Sequence, residues 1–328
     1  MDIIHLPIEL WTLIVGPLDI KLQVRLIQLC KTIKDNIFIT DLYNIDDKLK
    51  RKLKGDIIKK YPYIKKLYAG YDSGIEDHDL VRLNLIELNA YNNEKIKKIN
   101  HMTNLKILHA DALCGIDDDS LVGLNLVELN AASNPKIKKI NHMTNLKILH
   151  ASGTYCGVND DSLISTFTEG YGGLNLVELD ASFNPKIKKI NHMTNLRKLN
   201  AGNNSGIDDD SLAGLNLVEL IAHHNPKIKK INHMTNLRKL NVSWHSKIDD
   251  DSLVGLNLIE LNVNGNEKIK KINHMSNLRI LNAGWDSGID DESLVGLNLI
   301  ELNAIDNPKI KKINHMTTLK MLNDYCIR

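Results

Sequence analysis

The amino-acid sequence predicts an α/β solenoid, in which short coils stack and each coil contributes one strand to a parallel sheet. An eight-residue stretch, Lys-Ile-Lys-Lys-Ile-Asn-His-Met, occurs six times. Its asparagine recurs at steps of 41, 50, 41, 41 and 41 residues, at Asn100, Asn141, Asn191, Asn232, Asn273 and Asn314. Internal periods of this size are typical of stacked repeat architectures. The function of such a chain is therefore expected to lie on an extended surface.

Each 41-residue unit consists of two similar halves. The pattern L-x-x-L-x-A-x-x-N-x-x-I begins at Leu196 and begins again at Leu217. This pattern resembles the leucine-rich repeat. The resemblance implies a horseshoe with the parallel sheet on its concave face, and about thirteen coils between residues 64 and 322. The single 50-residue step reflects a nine-residue insertion near 165–172, which is expected to form a surface loop.

The two halves differ after the asparagine and define two kinds of coil. The aspartate coils continue as Ile-Asp-Asp-Asp-Ser-Leu, as at 207–212, and the lysine coils as Ile-Lys-Lys-Ile, as at 228–231. Neighbouring parallel strands are about 4.8 Å apart, so aspartates such as Asp209 are expected to alternate with lysines on one flank and neutralise it. The net charge of +2 agrees with this balance and argues against nucleic acid as a partner.

One asparagine occupies the same turn position in every lysine coil, at Asn93, Asn134, Asn184, Asn225, Asn266 and Asn307. A primary amide has two donors and an acceptor, so an inward asparagine is predicted to satisfy buried backbone groups of the turn. In the aspartate coils the aligned residues are Asp72, Leu113, Thr154, Asn204, His245 and Asp286. The ladder is therefore predicted to be interrupted in those coils.

Composition and cysteine spacing favour a reducing compartment. The four cysteines include no Cys-x-x-Cys pair. The first residues lack the basic segment and apolar run of a signal peptide, and no apolar stretch approaches about 18 residues. We therefore expect a cytoplasmic or nuclear protein, in a host cell if it is viral, with no membrane partner.

The sequence contains none of the common catalytic or cofactor motifs. It lacks a Gly-rich phosphate loop, G-x-S-x-G and H-E-x-x-H. A histidine does recur in each lysine coil, at His101, His142, His192, His233, His274 and His315. Its copies are two coils apart, about 10 Å, which is too far to converge on one zinc ion. We expect no enzyme, no cofactor and no metal site.

Residues 1–40 do not follow the repeat. They contain Leu6-Pro7-Ile8-Glu9-Leu10, then Leu18-Asp19, then Cys30-Lys31. This order resembles the F-box, a small helical module, and Asp19 suits the N-cap of its second helix. The resemblance implies binding to the adaptor Skp1 through Leu6, Pro7, Leu10, Ile14, Leu22 and Leu26.

The order of the parts suggests a function. An F-box-like helical module at 1–40, a connecting and capping segment at 41–63 and a leucine-rich-repeat array at 64–328 resemble the substrate receptors of cullin-type ubiquitin ligases. The resemblance implies a Skp1-like adaptor and a cullin ligase as partners, with an unknown target protein on the repeats. The alternative is a free-standing binding scaffold whose N-terminal helices only cap the first coil. The near-identical copies also resemble repeat proteins of amoeba-infecting giant viruses.

Residues that vary between the copies are the candidates for target binding. The variable positions on and after each strand hold two of the three tryptophans, in a chain that is 5% aromatic. Exposed aromatic side chains are typical of binding hot spots. We therefore predict a target-binding surface formed by Tyr71, Tyr91, Phe183, His223, His224, Trp244 and Trp285. The alternative is drift on an unused face.

Overall fold

The computed structural model describes residues 15, 18–29, 38–164, 174–313 and 316–323. The chain forms two compact units, Met1–Ile137 and Lys138–Arg328. Four of the predicted Skp1-binding residues, Leu6, Pro7, Leu10 and Ile14, lie outside the described residues, as does the predicted surface loop at 165–172.

The first unit contains five parallel strands in chain order. They are β1 (Asp41–Leu42), β2 (Lys66–Tyr68), β3 (Glu87–Asn89), β4 (Ile107–His109) and β5 (Glu128–Asn130). Equivalent residues lie side by side, as Leu67 does with Leu88. Its described helices are α1 (Ile20–Leu29), α2 (Asp47–Lys50), α3 (Gly55–Ile58), α4 (Asp77–Leu80) and a 3-10 turn at Asp119–Leu121.

The second unit contains nine parallel strands with the same register. They are β6 (Ile148–His150), β7 (Glu178–Asp180), β8 (Lys198–Asn200), β9 (Glu219–Ile221), β10 (Lys239–Asn241), β11 (Glu260–Asn262), β12 (Ile280–Asn282), β13 (Glu301–Asn303) and β14 (Met321–Asn323). Its described helices are α5 (Asp160–Leu163), α6 (Asp209–Leu212) and 3-10 turns at Asp251–Leu253 and Glu292–Leu294. Both units are stacks of parallel coils, which confirms the predicted α/β solenoid class.

The connecting segment adds an incomplete coil in front of the repeats. Its strand β1 pairs with β2, with Asp41 beside Lys66. The helix α1 begins as predicted, because Asp19 Oδ1 accepts hydrogen bonds from the N–H groups of Lys21 (2.9 Å) and Leu22 (3.2 Å). Because β1 pairs with β2, the connecting segment is continuous with the sheet of the first unit and is not a flexible linker.

The core of each coil follows from the two-residue alternation of a strand. In the coil of β9, Leu220 and Ala222 are fully buried, and so is Leu217 before the strand. Ile228 and Met234 fill the return side of the same coil. Because parallel coils cover each other on both sides, these positions repeat as near-continuous apolar columns.

The predicted asparagine ladder is confirmed. Asn225 is fully buried, and its Nδ2 donates to the carbonyl groups of Ala201 (2.8 Å) and Ile207 (3.0 Å) in the preceding coil. Its Oδ1 accepts from the N–H group of Lys227 at 3.1 Å. The same three bonds occur at Asn93, Asn134, Asn184, Asn266 and Asn307. Each asparagine thus satisfies backbone groups of two successive coils.

The aspartate coils interrupt the asparagine ladder as predicted, and a small residue takes the inward turn position there. Asn204 is exposed, and the next residue, Ser205, is the buried one. Ser205 Oγ donates to the carbonyl of Ala201 at 3.0 Å and accepts from the N–H group of Ile207 at 3.3 Å. Other aspartate coils also bury a small residue here, at Ser246, Ser287, Cys114 and Cys156, and Ser246 and Ser287 accept from the N–H groups of Ile248 and Ile289. In these coils the turn has one more residue before the inward position, as from Ala201 to Ser205 compared with Ala222 to Asn225. The alignment of the two halves did not reveal this extra residue.

The buried cysteines have a structural role. Cys114 and Cys156 are not in a disulfide and fill the inward turn position of their coils. Burial raises the pKa of the Cys114 thiol to about 11, so the thiol stays protonated at neutral pH.

The aspartates on the flank accept hydrogen bonds from backbone N–H groups in addition to balancing the charge of the lysines. Asp209 Oδ1 accepts from the N–H groups of Lys229 (2.7 Å) and Lys230 (2.9 Å) in the next lysine coil. The same pair of bonds occurs at Asp77, Asp160, Asp250 and Asp291. An aspartate coil therefore stabilises the lysine coil that follows it, which explains the alternation beyond the charge balance expected from sequence.

A capping box starts the short helix of most aspartate coils. Asp208 Oδ1 accepts from the N–H group of Ser211 at 2.9 Å, and Asp208 N–H donates to Ser211 Oγ at 3.1 Å. Equivalent pairs are Asp117 with Ser120, Asp249 with Ser252, Asp290 with Ser293, and Asn159 with Ser162. The hydrogen bond from Ser120 lowers the pKa of Asp117, and that from Ser252 lowers the pKa of Asp249.

Removing one ladder amide should destabilise the array. Asn225→Ala leaves two buried carbonyl groups without their donor, and we expect a loss of about 3 kcal/mol in the free energy of unfolding. The matched control is the exposed Asn204→Gly, expected to change that free energy by about 0.5 kcal/mol or less. Urea-induced unfolding of the full chain measures both. Equal losses in the two variants would contradict the assignment of the inward positions.

The capping boxes predict part of the acid sensitivity. The pKa of these carboxyl groups is lower in the folded chain than in the unfolded chain, where it is about 3.9 for aspartate. Such a group stabilises the fold at a pH above its unfolded pKa. This stabilisation is lost as the pH falls through the folded pKa. Replacing Asp117, Asp249 and Asp290 by asparagine, which is the native residue at 159, should therefore flatten the fall in Tm between about pH 5 and about pH 3. The control is the exposed Asp119→Asn. An unchanged fall would assign the acid sensitivity to other groups.

Candidate target-binding site

The most variable residues lie in the turn that follows each strand. Trp244, for example, comes after the end of β10 at Asn241. At the aligned turn position the backbone is left-handed in every coil from 92 to 306, at Asn92, Ala112, Ser133, Gly153, Phe183, Asn203, His224, Trp244, Gly265, Trp285 and Asp306. We call this the left-handed turn position. Its side chain points away from the buried columns, at the edge where the strands end.

Aromatic residues are locally unfavourable at this position. The φ angles are 58° at Phe183, 43° at Trp244 and 57° at Trp285. A left-handed backbone costs about 1–2 kcal/mol for a residue with a Cβ, and asparagine or glycine tolerates it best. Since other coils carry Asn203 or Gly153 here, the rings are not needed to build a coil. Strained residues of this kind point to function.

Two tryptophans form an exposed aromatic platform in the second unit. Trp244 is 36% exposed and Trp285 is 47% exposed, with ring centroids 5.7 Å apart and planes inclined by 53°. They come from the coils of β10 and β12, and Gly265 takes the left-handed turn position of the coil between them. A Cβ on Gly265 would overlap the Trp244 ring, so a side chain there would displace it. We call Trp244, Gly265 and Trp285 the tryptophan platform.

A histidine cluster adjoins the platform. The ring centroids of His223 and His224 are 5.7 Å apart, and those of His224 and His245 are 5.3 Å apart. Burial, reinforced by His224, lowers the pKa of His223, so that ring is neutral at pH 7. His224, Trp244 and His245 line one groove together with Glu267. The structure therefore brings the predicted residues His223, His224, Trp244 and Trp285 together, and adds His245.

The remaining predicted target-binding residues form separate groups. Tyr71 and Tyr91 lie in the first unit, both exposed, with ring centroids 6.0 Å apart in an edge-to-face arrangement. Phe183 is exposed on the coil of β7 in the second unit. The prediction of a single surface thus resolves into local aromatic groups within each unit.

The strand faces carry two polar columns. In one of them Lys239 Nζ lies 3.0 Å from Glu260, and this hydrogen bond raises the pKa of Lys239. In the other the third strand residue is an asparagine in most coils, and Asn262 Oδ1 accepts from the N–H group of Asn264 at 3.1 Å. Sequence reasoning did not single out this asparagine column, although the residue recurs at the same strand position.

Two of the predicted Skp1-binding residues are described, both on α1. Leu22 is 42% exposed and Leu26 is half-buried. On the other side of the helix, Ile20 and Val24 line a groove with Leu42 of the connecting segment. The helix therefore has one apolar face toward the coils and a second one that is open.

Three of the recurrent histidines, His101, His233 and His274, are bound to the backbone. His101 Nε2 lies 3.1 Å from the carbonyl of Leu80, and His233 Nε2 lies 3.2 Å from that of Leu212. Each carbonyl ends the short helix of the preceding coil. Within the described ranges, no group of three or more His, Cys, Asp or Glu residues is placed to hold a metal ion. The same part of the chain contains no helix long and apolar enough to cross a bilayer.

Comparison with known proteins bears on the fold. The sequence matches no protein-family model and no curated protein. A chain of the yeast Rad7 and Elc1 complex is 16% identical, with a TM-score of 0.51 over 87% of this chain and 79% of that chain. A chain of the TLR13–ssRNA13 complex is also 16% identical, with a TM-score of 0.56 over 90% of this chain and 52% of that chain. This chain thus spans about half of the latter.

A third solved structure is an LRR protein of Leptospira interrogans, which is 17% identical with a TM-score of 0.37 over 88% of this chain and 78% of that one. The parallel coils and the first two likenesses together identify the fold as a leucine-rich-repeat solenoid.

Replacing the platform rings should leave the fold intact. We expect Trp244→Asn with Trp285→Asn to change the free energy of unfolding by about 1 kcal/mol or less, because asparagine relieves the left-handed strain while ring contacts are lost. Thermal and urea unfolding of the full chain provide the measurement. A loss of several kcal/mol would show that the rings belong to the core.

Proposed function

We propose that this chain is a protein-interaction adaptor. Its coils hold a target protein, and its N-terminal module recruits a Skp1-like adaptor and, through it, a cullin-type ubiquitin ligase. The observation that carries the target-binding part is the tryptophan platform, where exposed rings occupy a position that disfavours them locally.

Target binding is supported by the kind of residue and its placement. Tryptophan is enriched among residues that dominate the energy of protein interfaces. The two rings join across Gly265 into one surface, and the histidine cluster extends it to the coil of β9. The exposed rings are not needed to close a coil, since asparagine or glycine occupies the left-handed turn position in other coils.

Recruitment of Skp1 is supported by the two apolar faces of α1. A helix that only caps a solenoid needs one apolar face, and Ile20 and Val24 provide it against the connecting segment. Leu22 and Leu26 lie on a different side, and Leu22 is exposed. An exposed apolar side chain on a second face is typical of a module that binds a partner. The Leu-Pro-x-Glu-Leu motif lies ahead of α1 in the sequence.

The second candidate is a free-standing binding scaffold with no ligase. The apolar groove that Ile20 and Val24 line with Leu42 of the connecting segment favours it, since an apolar helix face toward the end of a repeat array is typical of a cap. Both candidates use the same target-binding surface and differ only in the role of the N-terminal module.

Skp1 binding distinguishes the two candidates. Replacing Leu6, Pro7 and Leu10 together by alanine should abolish binding to purified Skp1 in a calorimetric titration, because it removes the apolar groups of the motif. Thermal unfolding of the array should stay unchanged. The matched control is Trp244→Asn with Trp285→Asn, which should bind Skp1 like wild type. If wild type fails to bind Skp1, the free-standing scaffold is the correct function.

The control variant also tests the other half of the proposal. Proteins that cross-link to the wild-type array in a cell lysate should be lost from the variant with both tryptophans replaced. Retention of all of them, with Skp1 binding intact, would place target recognition on a different surface.

A further inference from the structure

Acidic side chains surround one end of the tryptophan platform. Asp286 follows Trp285 in the chain, and Asp306 occupies the left-handed turn position of the next coil; both are exposed. The coils touch directly here, because Trp285 N–H donates to the carbonyl of Ile305 at 2.6 Å. Glu267 and Asp286 also line the groove beside Trp244. Three carboxylates thus lie around two exposed indole rings.

Two of the three nearby lysines lie on the Trp244 side of the platform, where Lys247 and Lys268 line the groove. The residue of the Trp285 coil that aligns with Lys247 is Gly288, and Lys309 Nζ donates to the carbonyl of Ser287 at 2.8 Å. On the Trp285 side both carboxylates, Asp286 and Asp306, are exposed.

We propose that the tryptophan platform binds cationic side chains of the target, arginine above all, within a positively charged segment. This inference rests on the proposed function and names the chemistry of the partner. The face of an indole ring attracts a cation through its quadrupole, and tryptophan is the strongest of the aromatic residues in this respect. A planar guanidinium group stacks on such a ring while its N–H groups bind a carboxylate in a bidentate manner.

Other occupants fit the site less well. An apolar segment would cover Asp286 and Asp306 without offering hydrogen bonds, and covering a charged group without a partner is costly. A single-stranded nucleic acid could stack its bases on the rings, but its phosphates would meet Glu267, Asp286 and Asp306 at close range. A guanidinium group satisfies both the rings and the carboxylates.

The test uses short peptides as defined probes. The full chain is titrated by calorimetry with a Gly/Ser peptide that carries three arginines, and with matched peptides that carry lysine, citrulline or glutamate instead. We expect arginine to bind more tightly than lysine, and citrulline and glutamate to bind at least about tenfold more weakly. The arginine affinity should fall as salt rises from about 50 to about 300 mM, because exposed charges are screened.

Three variants locate the binding. Trp244→Asn with Trp285→Asn should weaken the arginine peptide about tenfold, and Asp286→Asn with Asp306→Asn about fivefold. The matched control is Ser133→Asn, at the same left-handed turn position in the first unit, where the side chain is exposed. It should change the affinity by about twofold or less.

The outcomes separate this inference from the proposed function. Equal binding of the arginine and citrulline peptides, or tighter binding of a single-stranded RNA of similar length, would overturn the cationic chemistry. If the tryptophan variant loses cross-linked targets while wild type ignores the arginine peptide, the adaptor function stands and this inference fails. If the variant keeps both targets and peptide, both fail.

Discussion

The structure depends on backbone groups that each coil leaves for its neighbour to satisfy. The carbonyls of Ala201 and Ile207 are buried, and Asn225 of the next coil supplies their donors. The N–H groups of Lys229 and Lys230 find their acceptor on Asp209 of the previous coil. Bonding runs in both directions between successive coils, so no coil is complete alone. Stability is therefore a property of neighbouring pairs, as in other solenoids.

The sequence predicted the fold correctly at positions where every copy buries the same apolar side chain or satisfies the same backbone groups. Buried leucines at fixed spacing predicted the strands, and one asparagine per lysine coil predicted the ladder. In the aspartate coils the sequence predicted the interruption of the ladder but not what replaces the asparagine, which is a small residue such as Ser205 or Cys114 one position later. Small inward residues give no distinctive pattern, and only the hydrogen bonds identify them.

The candidate site was predictable in its residues but not in its geometry. Variation between copies indicated Trp244 and Trp285, yet nothing local predicts a left-handed backbone under a tryptophan. That conformation is imposed by the neighbouring coil, since Trp244 N–H donates to the carbonyl of Asn264 at 2.8 Å. The contact between the rings depends equally on Gly265, a residue that variation alone would not single out. Long-range hydrogen bonds thus decide where the variable side chains point.

The left-handed turn position also has a consequence for how binding residues are spaced when coils are duplicated. Its N–H group is used between coils and its side chain lies outside the buried columns, so residues exchange there without disturbing the core. Inserting one aspartate coil with its lysine coil adds 41 residues and moves every later ring by two strand spacings, about 10 Å. Distances between binding groups therefore grow in fixed steps, and the number of coils between two rings determines the length of partner that can touch both.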